Sequence, residues 1–306
     1  MGNVIVIGSY VVDLMSRAPR LPKPGETVLG GPFQIGPGGK GGNQATAAAR
    51  SGSNVTFVTK IGRDLFGQDA VEHFKKEQFN THFVQIADEE ATGAALIAVD
   101  INGENQIVIA PGACGTMTKQ NVLEADAAIK EGDIVVLQLE ISMGAVEAAV
   151  ERAVLHNVPV LLNPAPYQAF PREILKHVTY ATPNETEASN LTGVEVKNEA
   201  SAQKAADILH QLGVKTVMIT LGHKGVFLSE RAFSGRVLPG FNVEAVDTTG
   251  AGDAFNGGFA HAITSGQSLE EAVRFGQAAA ALSVTKNGTA DSMPYAGEIM
   301  AFLSER

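Results

Sequence analysis

The 306-residue chain predicts an α/β fold: a three-layer α/β/α arrangement with helices on both faces of a largely parallel sheet. Three observations carry this. Continuous β-branched runs such as Val4-Ile5-Val6-Ile7 suit strands covered on both faces. Ala-rich stretches of helical length alternate with them. Polar clusters fall at strand ends, at Asp13, Asn163, 184–187, 220–222 and 247–253. Ligands in such sheets bind beyond the carboxyl ends of the strands, so one site is assembled from the whole chain.

In order, residues 4–8 read as a buried strand, 21–27 as a turn and 28–35 as a short, partly polar strand. A glycine-rich segment opens a helix at 44–50. A strand at 55–59 and helical spacing at 69–77 follow. Strands at 93–99 and 105–109 flank Asn102-Gly103, which marks a tight hairpin. These antiparallel pieces suggest a small sheet standing off the main one. From 133 the alternation is regular: strand 134–139, helix 143–156, strand 158–162, a strand end at 180–183, a helix from Glu187, helix 200–212 and strand 217–220. Residues 241–246 alternate and read as a strand. Helices are expected at 254–264, 269–285 and 296–304. Nothing marks an internal boundary or a repeat, so 1–306 reads as one domain.

Composition narrows the function. A formal net charge of -10 argues against non-specific nucleic-acid binding. No apolar run is long enough to span a membrane. The single Cys114 precludes an internal disulfide and fits a reducing, cytoplasmic setting; it reads as a core or loop residue. The chain starts directly on a strand, without a leader pattern. The seven His residues share no metal-ligand spacing.

Chemistry concentrates in Asp247-Thr248-Thr249-Gly250-Ala251-Gly252-Asp253. Gly250 and Gly252 permit a sharp turn and close approach to a ligand. The amides of Ala251, Gly252 and Asp253 then sit unpaired at a helix N-terminus, which is an anion site. An Asp placed there suits a base whose neighbouring amides hold developing charge; the bland alternative is a glycine turn with an Asp cap. Gly38-Gly39-Lys40-Gly41-Gly42-Asn43 lacks the Gly-Lys-Ser/Thr ending of a Walker A loop and suits a polyhydroxyl ligand, or is a flexible loop before a helix. Glu140 ends a buried strand, where it either holds a substrate hydroxyl or caps the next helix. Asn184 and Glu187 either recruit hydrated Mg²⁺ or serve a helix N-terminus.

Four motifs in this order, Gly38-Gly39-Lys40-Gly41-Gly42-Asn43-Gln44-Ala45, Asn163-Pro164-Ala165-Pro166, Asn184-Glu185-Thr186-Glu187 and the stretch from Asp247 to Phe255, resemble the ribokinase-like, or PfkB, sugar kinases over nearly the whole chain. The resemblance implies a central three-layer sheet with a small β-sheet lid from segments near 10–45 and 91–110, and a homodimer through that lid. It implies ATP-dependent phosphorylation of a sugar hydroxymethyl group, with Mg²⁺ and an activating K⁺. Asp253 would be the base, and the Gly250, Ala251 and Gly252 backbone part of the anion hole. Asp13, Gly39, Lys40, Asn43 and Glu140 match sugar-binding positions. Asn184, Glu187, Thr220, Gly222 and Gly252 match the Mg²⁺ and nucleotide-phosphate region, and Gln277 falls where the family flanks adenine. Asp247, Thr249, Ser283, Lys286, Gly288 and Ser292 match a K⁺ site. One position departs: Val11 stands where ribokinases carry the Asn that helps hold the sugar 2-hydroxyl. This resembles deoxyribokinases and slightly favours 2-deoxyribose over ribose. The alternatives are an ordinary ribokinase, another sugar or nucleoside kinase, or a silent sugar-binding relative.

Overall fold

The structure is a computed structural model of residues 1–306, described throughout except at Gly103 and Ala232. In chain order the strands are β1 (Asn3–Ile7), β2 (Val11–Arg17), β3 (Phe33–Gly38), β4 (Asn54–Gly62), β5 (Val84–Ala87), β6 (Gly93–Val99), β7 (Asn105–Ala110), β8 (Ile134–Leu137), β9 (Val160–Leu162), β10 (Tyr180–Ala181), β11 (Thr216–Thr220), β12 (Gly225–Glu230) and β13 (Arg236–Pro239). The helices are α1 (Lys40–Arg50), α2 (Leu65–Lys76), α3 (Lys119–Glu124), α4 (Asp126–Glu131), α5 (Met143–Leu155), α6 (Glu185–Thr192), α7 (Glu199–Gln211), α8 (Ala251–Thr264), α9 (Leu269–Ser283) and α10 (Ala296–Ser304).

The larger sheet runs β13-β12-β11-β10-β9-β8-β1-β4-β5 and is parallel from β5 to β11. Its pleat explains both cores. In β1, Val4 and Val6 pack with α1, α2, α8, α9 and α10, while Ile5 and Ile7 pack with α3 to α7 on the other face. A smaller sheet, ordered β3-β2-β6-β7, leaves the main one after β1. Among the described residues no helix is long and apolar enough to cross a membrane.

Several boundaries differ from the sequence reading. α1, α6 and α8 start at Lys40, Glu185 and Ala251, up to four residues early, because polar and glycine-rich stretches that read as loops form their first turns. Residues 241–246 are not a strand: the Val246 and Asp247 amides bond to the Val284 carbonyl at 2.7 and 3.1 Å, off the end of α9. The sheet edge is instead the β12–β13 hairpin, which the sequence reading lacks, as it lacks β2. The strand expected from 28 begins at Phe33, after Gly30, Gly31 and Pro32. β6 and β7 pair antiparallel; of the turn expected at Asn102-Gly103, Gly103 lies outside the described residues.

Candidate active site

Most of the longer helices start from a side-chain cap: Asp64, Ser142, Asn184, Asn198 and Ser268 accept from amides of α2, α5, α6, α7 and α9. α1 and α8 start instead from Gly39 and Gly250, both at φ 79° and with no side chain of their own to cap the helix. Their N-termini meet beyond the ends of β1 and β8 to β11. The α1 end is covered. Glu140 Oε2 accepts from the Lys40 amide at 2.9 Å and from Ser9 Oγ at 2.5 Å, and the Gly42 amide donates to the Ser9 carbonyl at 2.8 Å. Glu140 thus caps α1, while Ser142 caps the next helix in the chain.

The α8 end is open. The Gly250, Gly252 and Asp253 amides have no partner among the described residues, whereas Ala251 N–H closes the turn onto the Thr248 carbonyl at 3.3 Å. A side chain at Gly252 or Gly222 would meet nothing within 4 Å. The open amides face a cavity of about 420 Å³ that these glycines line with Lys40, Asn184, Glu187 and Thr220. Such an end, with its dipole, holds anions.

Asp253, only 4% exposed, stands in the first turn of α8. Four residues on, Gly257 lets α1 approach, because a Cβ there would lie 2.4 Å from Ala47 Cβ and 2.6 Å from the Gln44 carbonyl oxygen. This crossing brings Asn43 Nδ2 to Asp253 Oδ2 and Gln44 Nε2 to Asp253 Oδ1, each at 2.9 Å. Gln44 also reaches Asn163 Oδ1 at 3.2 Å and accepts from Gln138 Nε2 at 2.7 Å. Thr182 and Asn256 continue the network, and Asn256 Nδ2 returns to the Gly252 carbonyl at 2.8 Å. The carboxylate is therefore locked in orientation by neutral amides. The sequence reading gives Gln44 and Gln138 no role, although Gln44 stands in the glycine-rich motif; Gln138, an amide inside a run of apolar residues, gives no further signal.

Lys40 lines the same cavity, and the Asp253 carboxylate, as the largest influence, raises its pKa against the opposing effect of burial. Asn184 and Glu187 form a capping box on α6, with bonds of 2.8 to 3.0 Å, so the helix-terminus reading of Glu187 is realised. Burial pushes its carboxyl up. Its oxygens keep lone pairs for a metal-bound water. Gln277 does not line this cavity. It is buried and ties α9 to β13 through the Leu238 and Pro239 carbonyls at 2.9 and 3.3 Å.

Val11, 4% exposed at the start of β2, lines a neighbouring cavity of about 370 Å³ with Ser9, Ile109 and Glu140. Asp13, two residues on and on the same face, opens into a third of about 470 Å³ with Asp247 and Thr249. Burial raises the Asp13 carboxyl to about 6, with Glu140, Asp253 and Asp247 adding to the effect and a bond from Thr289 opposing it. Asp247 accepts from the Thr249 and Gly288 amides at 3.0 and 3.2 Å. Among the described residues no Lys, Arg or His lies within 4 Å of it as a salt-bridge partner. Ser283, Lys286 and Ser292 follow along the end of α9 and its loop, where Lys286 pairs with Glu298 and Ser292 Oγ donates to the Thr289 carbonyl. Cys114 is buried and donates to the Pro111 carbonyl, a core residue whose thiol burial pushes up to about 12.

The family model for pfkB family carbohydrate kinases matches residues 1–296. The chain belongs to this family. A ribokinase of Haemophilus influenzae is 47% identical over 301 residues, 98% of each chain. A deoxyribokinase of Salmonella typhi is 37% identical over 303 residues, 99% of each. The structure of Arabidopsis thaliana ribokinase complexed with ribose and ATP superposes with a TM-score of 0.91 at 32% identity, covering 99% of this chain and 98% of that one. The fold is ribokinase-like and the chain is a sugar kinase.

Proposed function

We propose that this pfkB kinase transfers the γ-phosphoryl group of ATP to the 5-hydroxyl of a pentose, 2-deoxyribose slightly ahead of ribose. The observation that carries the reading is Asp253, fixed by Asn43 and Gln44 beside the one glycine-started helix end left open. In this reading Asp253 takes the hydroxyl proton while the Gly250, Gly252 and Asp253 amides hold charge on the transferring group. Lys40, lining the same cavity, adds positive charge. Glu187 and Asn184 hold waters of Mg²⁺, which keeps most of its hydration shell. Bound MgATP supplies the phosphoryl group, and the room over Gly222 and Gly252 suits its phosphates. Asp13, Gly39, Lys40, Asn43 and Glu140 hold sugar hydroxyls. The ribokinase and deoxyribokinase relatives support a pentose, and Val11 supports the deoxy sugar. A coupled ATPase screen over ribose, 2-deoxyribose, fructose, tagatose and nucleosides tests this. The two pentoses should give the highest kcat/KM, and a nucleoside or hexose ahead of both would contradict it.

A monovalent cation fits beside Asp247, a carboxylate met by two amides and no basic side chain among the described residues. Thr249, Ser283, Lys286, Gly288 and Ser292 would supply carbonyl or hydroxyl oxygens. Activity should rise severalfold when K⁺ replaces tetramethylammonium at equal ionic strength; a flat response would rule out a working site. One face of the smaller sheet exposes Phe33, Ile35, Leu96 and Val108. An apolar face of this kind suits a homodimer, so light scattering should give twice the chain mass, and a monomer at micromolar concentration would reject it.

A further inference from the structure

We infer that Thr289 is a positioning residue for sugar binding: its hydroxyl sets the Asp13 carboxylate and ties the loop after α9 to the sugar site. The inference rests on Asp13 as a sugar-binding carboxylate.

Thr289 is buried, with its Oγ1 2.7 Å from Asp13 Oδ2 and 3.0 Å from the Pro37 carbonyl oxygen. One hydroxyl proton serves two acceptors, and the nearer, charged one takes it. The other carboxylate oxygen, Oδ1, has no hydrogen-bond partner among the described residues. It lies over Gly38, where a Cβ would come within 2.3 Å. One oxygen is thus tethered and the other left for a ligand hydroxyl.

The tether has a fixed origin. Buried Arg50 donates to the Asp291 and Met293 carbonyls at 3.1 and 2.8 Å, and its other nitrogens chelate Glu77 at 3.0 and 2.7 Å. The Gly288 amide is held by Asp247. On its other side Thr289 lies against Gly250, since a Cβ on that glycine would be 3.5 Å from Thr289 Cα. The hydroxyl therefore comes from a loop pinned between the two acidic ends of the site. A carboxylate held in its binding orientation loses less freedom when the sugar arrives, so the tether acts on affinity.

Thr289→Val keeps the shape and removes the donor. We expect the sugar KM to rise about tenfold, the loss of one charge-assisted bond, with kcat and the ATP KM within about twofold of wild type. Thr289→Ser should restore the sugar KM. Added to Asp13→Asn, the valine substitution should cost nothing more, because it acts through Asp13. A wild-type sugar KM in Thr289→Val, a serine variant as poor as valine, or a matching fall in kcat would overturn the inference. If Asp13→Asn leaves the sugar KM unchanged, the reading of Asp13 fails and takes this inference with it. If Asp13→Asn raises the KM and Thr289→Val does not, this inference alone fails. Melting curves accompany each variant, and Thr289→Ala stands in should valine prevent folding; if only serine folds, Thr289 is structural and the proposal is wrong.

Discussion

Asp253→Asn is expected to lower kcat by roughly 10²–10⁴-fold, the contribution of a positioned general base. The substitution does more than remove a base. Asp253 accepts one bond from Asn43 Nδ2 and one from Gln44 Nε2. An asparagine offers a single acceptor oxygen, so one donor would face an amide NH₂ group. A buried group left unpaired costs about 1–3 kcal/mol, so a lower melting temperature should accompany the kinetic loss. The two effects separate. Sugar KM and saturating kcat are measured below the variant's transition, where the folded fraction is complete. There, kcat should fall by the stated factor while the sugar still binds. Turnover within about tenfold of wild type, outside the range for a general base, would remove Asp253 from the proton transfer.

Val11→Asn should raise the ribose-to-deoxyribose ratio of kcat/KM by at least roughly tenfold, the effect of about 1.4 kcal/mol. Val11 is pinned by the pairing of β2 with Gly38 and Gly93, and its side chain lines the cavity that Ser9 and Glu140 enter. Methyl groups there offer a ribose 2-hydroxyl no partner. Stripping its water costs about 1–3 kcal/mol unless another group reaches it. An apolar pocket rejects an added hydroxyl by only about 10²-fold, so wild type should use ribose less well without excluding it. Asparagine supplies both a donor and an acceptor at that place. An unchanged ratio in a folded, active variant, or a wild type strongly preferring ribose, would leave the deoxy preference without support.

The parts of the site that could be read from sequence are those with a local physical signature. Gly250 and Gly252 between two Asp residues announce a tight turn at a helix start, and Asp253 is where that turn puts a carboxylate against unpaired amides. The central strands announce themselves by continuous β-branched runs. What stays hidden is tertiary. Gln44 and Gln138 matter because Gly257 lets two helices close, and nothing adjacent to them in sequence says so. Thr289 gains its partner from a residue 276 positions away. β2 is obscured by Asp13 in its middle, a polar residue that interrupts an apolar run and turns out to face a cavity. Residues 241–246 alternate like a strand, yet β13 already closes the sheet and the Val246 amide bonds to the Val284 carbonyl just past α9.

The most direct test of the central claim is the ³¹P NMR spectrum of the product made from ATP, Mg²⁺ and 2-deoxyribose or ribose. The account predicts a phosphomonoester signal coupled to the two protons of carbon 5, and no such product from the 5-deoxy sugar. A phosphate coupled to the single anomeric proton, or only ADP and inorganic phosphate, would contradict it.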